Sequence, residues 1–168
     1  MYNLFMSIRV LVISAFAFLV VSAGAQHAPV IGVKNPEALF TSRDPKLHLN
    51  KQTTLRIVRD LLEAGHWDQG PKYLTKRYIQ HHPGVPSGLD PVMKFFGGMP
   101  KKPLPKPNAW KTKVVSVVAE GDIVVVATVR ELKDSAGKPY TTTWFDMWRF
   151  KDGKADEHWD GAEMPVLN

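Results

Sequence analysis

The chain has no cysteine. Disulfides, thiol nucleophiles and thiolate metal sites are therefore excluded, even in an oxidising compartment. It contains no G-x-S-x-G turn and no glycine-rich phosphate loop, the usual marks of serine hydrolases and of nucleotide-binding proteins. Its histidines do not recur at H-x-x-x-H spacing. Histidine and carboxylate suit zinc or iron, but without such a pattern no metal is expected. No arginine-rich helix or aromatic-interleaved basic stripe is present, so the net charge of +6 is not read as nucleic-acid binding. It fits solubility, with some attraction to anionic envelope surfaces. The apolar run Val10–Val21 is shorter than the roughly 20 residues that a spanning helix needs.

That run has a different meaning. Arg9 is the only charge before residue 26, and Ala23-Gly24-Ala25 forms an A-x-A site before Gln26. This is the pattern of a secretory signal. The expectation is a signal peptide over residues 1–25 and cleavage near Ala25–Gln26. The product would be periplasmic or secreted, with no stable membrane anchor after cleavage. The remaining 143 residues suit one domain with a sizeable core. Residues 26–49 are polar and proline-bearing and read as an extended N-terminal arm; the domain occupies residues 50–168.

Helices come first. Leu55, Val58 and Leu62 lie at helical spacing within Lys51–Ala64, with Asn50 as a possible cap and Gly65 as a stop. Asp68 can cap a short second helix leading towards Tyr78. Asp90-Pro91 opens a third, which carries Phe95 and Phe96. The Met99–Asn108 stretch is rich in proline and lysine and cannot be regular; it reads as a stiff connector or as a lid. A β meander follows over Trp110–Ala119, Ile123–Leu132, Tyr140–Phe150 and Lys154–Met164. The helix-then-sheet order predicts an α+β fold, with N-terminal helices packed on a curved antiparallel sheet. The second strand is apolar on both faces, and a homodimer through the outer sheet face would cover the second one.

The last third is the most telling. Trp144, Asp146, Trp148 and Phe150 share one face of a strand, and a carboxylate among large aromatics needs a partner or a task. His158 and Asp160 share a face of the next strand. The Lys151-Asp152-Gly153 turn reads as a three-residue bulged hairpin, which sets Asp146 opposite His158 and Trp144 opposite Asp160. A two-residue Asp-Gly turn would put Asp146 and His158 on opposite faces. In Tyr78-Ile79-Gln80-His81-His82-Pro83 adjacent histidines cannot point the same way, and His81 is the one expected to reach the pocket. Asp146, His158, Asp160 and His81 are the candidate catalytic residues. Tyr78, Phe96, Trp144 and Trp148 are the candidate substrate-binding ones. Together they suit proton abstraction next to the carbonyl of a small apolar compound. The Asp–His constellation reads equally as a pair that merely satisfies itself.

These same segments, in order, carry a resemblance. Tyr78 to Pro83, Phe95-Phe96, Val117 to Asp122, Asp146 to Phe150, Asp152-Gly153-Lys154 and Glu157-His158-Trp159-Asp160 resemble the SnoaL-like polyketide cyclases and the SnoaL-like aldol-condensation group, of the nuclear transport factor two-like superfamily. The resemblance spans Asn50 to the C-terminus. It implies a cone-shaped α+β barrel, often dimeric, with a pocket aspartate as acid–base and no metal or cofactor; Asp146 and Asp160 are the matching positions. It implies pocket histidines at His158 and His81. His82 departs from the asparagine that this family commonly has there, and the signal segment departs from the cytoplasmic work of polyketide cyclisation. The superfamily also holds binding modules, so a non-catalytic ligand-binding or protein-interaction module is the second reading.

Overall fold

The computed structural model describes residues 28–163; the expected signal segment lies outside them. Helix α1 spans Pro45–Arg56 and continues as a π-helical segment, Ile57–Glu63. It starts six residues before the expected position, because Asp44 Oδ1 accepts the Leu47 amide at 2.8 Å and Pro45 takes the first turn. Asn50 is therefore no cap but a buried residue inside the helix. The wide turn ends with the Ala64 amide bonded to the Arg59 carbonyl at 3.1 Å and Gly65 at φ 75°.

Helix α2 is short, Gly70–Tyr73, and leads directly into strand β1, Leu74–Gln80. That strand replaces the helix expected towards Tyr78. Helix α3 spans Leu89–Phe96 with Gly88, not Asp90, at its cap. The Met99–Asn108 connector has no helix or strand, as its prolines require. Strands β2 (Val114–Glu120), β3 (Ile123–Lys133), β4 (Pro139–Lys151) and β5 (Lys154–Asp160) form the meander. The sheet order is β1-β5-β4-β3-β2. It is mixed rather than wholly antiparallel, because β1 joins β5 in parallel.

Alternation along these strands gives the sheet one buried face. Val114, Val124, Val126 and Trp148 on that face pack with Leu55, Ile57, Val58 and Leu61 of the long helix in one core. Each such aliphatic contributes about 1.5–3 kcal/mol on burial. The helices close the wide end of the curved sheet only in part. Trp67 stacks on Phe96 at 4.3 Å between ring centroids, and Phe95 meets Phe96 edge-on at 4.8 Å. These rings form a roof, and a space remains between them and the sheet.

Candidate functional site

The floor of that space is polar. Asp146 and Trp148 come from β4, His158 and Asp160 from β5, and Tyr78 and Gln80 from β1. Trp67, Phe95, Phe96, Ile57 and Leu62 supply apolar walls, and His82 and Val85 lie at its edge. The cavity volume is about 360 Å³, room for a small flat molecule.

The β4–β5 hairpin reaches this arrangement by an unexpected route. Its turn is the two-residue Asp152-Gly153, both with positive φ (51° and 75°), and Lys151 opposes Lys154. A bulge between Arg149 and Phe150 then shifts the register. Beyond it Trp148 opposes His158 and Asp146 opposes Asp160. Asp146 and His158 thus share a face, but as a diagonal pair: Nε2 of His158 lies 3.1 Å from Asp146 Oδ1. Trp144 does not oppose Asp160. It lies in an adjoining cleft of about 460 Å³ with His82, Arg130 and Asp160, and the Arg130 guanidinium sits 4.2 Å from its ring centre. Trp144 is thus absent from the cavity lining that holds Tyr78, Phe96 and Trp148.

His81 is the other correction. Its ring stacks on Trp159 at 4.6 Å, and its Nε2 is 3.3 Å from Glu157, on the convex side of the sheet. His82 lines the cavity instead. The cause is strand β1, which stands where a helix leading towards Tyr78 is expected. With Tyr78 and Gln80 pointing inwards, His81 must point out. The sequence carries no clean alternation here: Lys76 is exposed between buried Leu74 and Tyr78, and the β1–β5 register shifts between Leu74 and Ile79. Gln80, overlooked as a site residue, bonds Nδ1 of His158 at 2.6 Å.

Burial pushes the Tyr78 hydroxyl well above its ordinary pKa; the neighbouring Trp148 indole opposes this, and the Asp146 and Asp160 charges reinforce it. Tyr78 is thereby a standing O–H donor beside the carboxylates. Asp160 Oδ1 accepts the Ala162 amide at 3.0 Å, and no Lys or Arg pairs with Asp146 or Asp160 among the described residues. Ligand atoms of Asp146, His158 and Asp160 fall within 4.8 Å of one another, close enough to face one divalent cation. The His158–Asp146 contact already requires a proton at that point, so no ligand set is assigned.

With this geometry in hand, similarity to known proteins defines the class. The family model for the SnoaL-like domain matches residues 55–158, and the chain belongs to that family. Among solved structures it is similar to a protein provisionally described as a SnoaL-like polyketide cyclase from Jannaschia sp. CCS1, with 21% identity, a TM-score of 0.51, and 72% of this chain and 91% of that chain covered. It is similar also to one provisionally described as a polyketide cyclase from Acidithiobacillus ferrooxidans, with 18% identity, a TM-score of 0.50, and 71% and 89% covered. A nuclear transport factor two-like protein of unknown function from Burkholderia pseudomallei K96243 has 19% identity over 68% of this chain and 91% of its own, at a TM-score of 0.47. At such identities the first two likenesses speak for the α+β fold alone. No curated protein sequence matches significantly.

Proposed function

We propose that this SnoaL-like protein is an exported, cofactor-independent acid–base enzyme, a lyase, cyclase or isomerase of the aldol type acting on a small apolar carbonyl compound. The observation that carries the reading is a polar floor of two carboxylates and one histidine beneath aromatic walls. Asp160 keeps one oxygen without a partner among the described residues. Asp146 likewise has one oxygen engaged, but by the His158 ring, on a line that carries a proton. Asp160 is therefore the base that removes a proton from the carbon next to the carbonyl, and the electron pair moves onto the carbonyl oxygen. Tyr78, held protonated, donates a hydrogen bond to that oxygen. His158 and Asp146 give the proton that returns to the carbon, and Asp160 passes the proton it took back to that pair, which restores the site. Phe96 and Trp148 bind the flat face of the substrate; His81 and Trp144, outside the cavity, are given no part.

The test is hydrogen–deuterium exchange next to the carbonyl of 2-tetralone in heavy water, followed by NMR. The native protein should accelerate exchange, and Asp160→Asn should abolish the acceleration. Exchange that is no faster than with the Asp160→Asn variant would sink the enzymatic reading.

A separate observation favours association. Val118 and Phe145 are 61% and 56% exposed on the convex face of the sheet, near half-buried Met147 and Trp159. An apolar patch of this kind fits a homodimer through the outer sheet face. The same patch, with the signal segment, supports the alternative of a non-catalytic module. In that case ligand affinity or association would survive Asp160→Asn while exchange is absent from the outset.

A further inference from the structure

We propose that Gln80 is a positioning residue that locks the His158 imidazole in a single tautomer and thereby confines one proton between His158 and Asp146. Its catalytic meaning rests on the function proposed above; the lock itself does not.

The argument starts at one oxygen. Gln80 Oε1 lies 2.6 Å from His158 Nδ1 and 3.3 Å from the backbone nitrogen of His82. A backbone N–H can only donate, so the side-chain atom facing both groups is the carbonyl oxygen and not the amide nitrogen. Nδ1 of His158 must then carry a hydrogen and donate it. The opposite nitrogen, Nε2, faces Asp146 Oδ1 at 3.1 Å. Two lone pairs do not approach so closely without a hydrogen between them. One proton therefore sits on that line, as imidazolium with carboxylate or as imidazole with carboxylic acid.

The lock is rigid because its own backbone is tied. Gln80 is the direct partner of His158 across the parallel β1–β5 pair. Its amide donates to Ser87 Oγ at 3.0 Å, and the Ser87 hydroxyl donates back to the Gln80 carbonyl at 3.3 Å. The next amide, His81, donates to the His158 carbonyl at 2.9 Å. The ring itself is buried against Trp148, 4.9 Å between centres. The titratable groups facing it are Asp146 from β4, Asp160 from its own strand, Tyr78 from β1 and His82 at the end of β1. Without Gln80, no described residue would compel Nδ1 to keep its hydrogen, and the neutral ring would be free to donate from Nε2 instead.

The experiment is long-range proton–nitrogen NMR of the His158 ring in the mature, nitrogen-15-labelled protein, compared with Gln80→Leu and Gln80→Glu, from acid to alkaline pH. In the native protein Nδ1 should show the shift of a protonated nitrogen at every pH where the protein is folded. Gln80→Leu should convert the neutral ring to the Nε2–H form. Gln80→Glu, which keeps an acceptor at the same place, should retain the Nδ1–H form. An unprotonated Nδ1 in the native protein, or unchanged ring shifts in Gln80→Leu, would overturn the lock. If Gln80→Leu does not fold, the native spectrum and that of Gln80→Glu still decide. Tetralone exchange on the same samples separates the two claims. A locked ring without exchange refutes the enzyme and leaves the lock standing. Exchange with an unlocked ring does the reverse. With both true, Gln80→Leu should slow exchange about tenfold and change its pH profile, and Gln80→Glu should restore the profile.

Discussion

Two aspartates on strand β5 have opposite surroundings. Asp156 is buried and fully engaged: it accepts the Thr75 hydroxyl at 2.6 Å and Arg77 Nε at 3.1 Å, and Arg77 Nη2 bonds the same carboxylate. The Arg77 guanidinium, first among several causes, holds its carboxyl below the ordinary range. Asp160, further along the strand, looks into the cavity and forms no ion pair with a Lys or Arg among the described residues. Asp156 sits where the β4–β5 and β1–β5 registers both break. It fastens β1 at the irregularity that turns Tyr78 and Gln80 inwards. One carboxylate is spent on structure and the other is left available for chemistry, and their partners rather than their residue type decide which.

The contrast can be broken in order of effect. Asp160→Asn should lower tetralone exchange at least about a hundredfold and leave the urea midpoint nearly unchanged. A large loss of stability instead would make Asp160 a second fastener. Asp156→Ala should do the opposite, costing about 1–3 kcal/mol in urea unfolding because it strips a buried network of its acceptor. Loss of exchange in that variant without loss of stability would contradict the division.

Acid titration sharpens the same point. The folded pKa of Asp156 lies below its unfolded value near about 3.9. Its contribution to stability is therefore complete above that value and is lost as pH falls through the lower, folded one. Asp156→Asn should flatten this part of the stability curve below about pH 4, and an unchanged acid limb would count against the pairing. Tyr78→Phe should slow exchange about tenfold, since one donor to the developing enolate is removed, with unfolding little affected. The smallest expected effect on the cavity is that of Val118→Lys with Phe145→Glu. If the outer sheet face joins two copies as proposed, these changes should shift the sedimentation profile from dimer to monomer and leave the site's histidine spectra unaltered.

Much of this was legible in the chain. Proline fixed the irregular Met99–Asn108 connector, and period-two alternation located four strands of the meander. The family was legible from the order of short motifs, and strand parity paired Asp146 with Trp148 and His158 with Asp160; that the two pairs share a face rests on the Arg149–Phe150 bulge, which the sequence does not announce. What failed was local. Asp44-Pro45 and Asp90-Pro91 carry the same helix-start signal, yet only the first caps a helix with its aspartate. At the second, the Gly88 amide bonds the Tyr78 carbonyl at 2.8 Å, and this long-range tie sets the start.

The sequence by itself determined the α+β class, the absence of thiol chemistry and the polar-in-aromatic character of β4 and β5, because composition and two-residue periodicity are properties of a segment alone. The tertiary structure decided which atoms meet. A two-residue turn and a one-residue bulge together turned an expected cross-strand Asp146–His158 pair into a diagonal one, and a parallel partner strand turned His81 outwards and brought Gln80 onto His158. Register and strand pairing are settled by contacts between segments far apart in the chain, and no local pattern contains them.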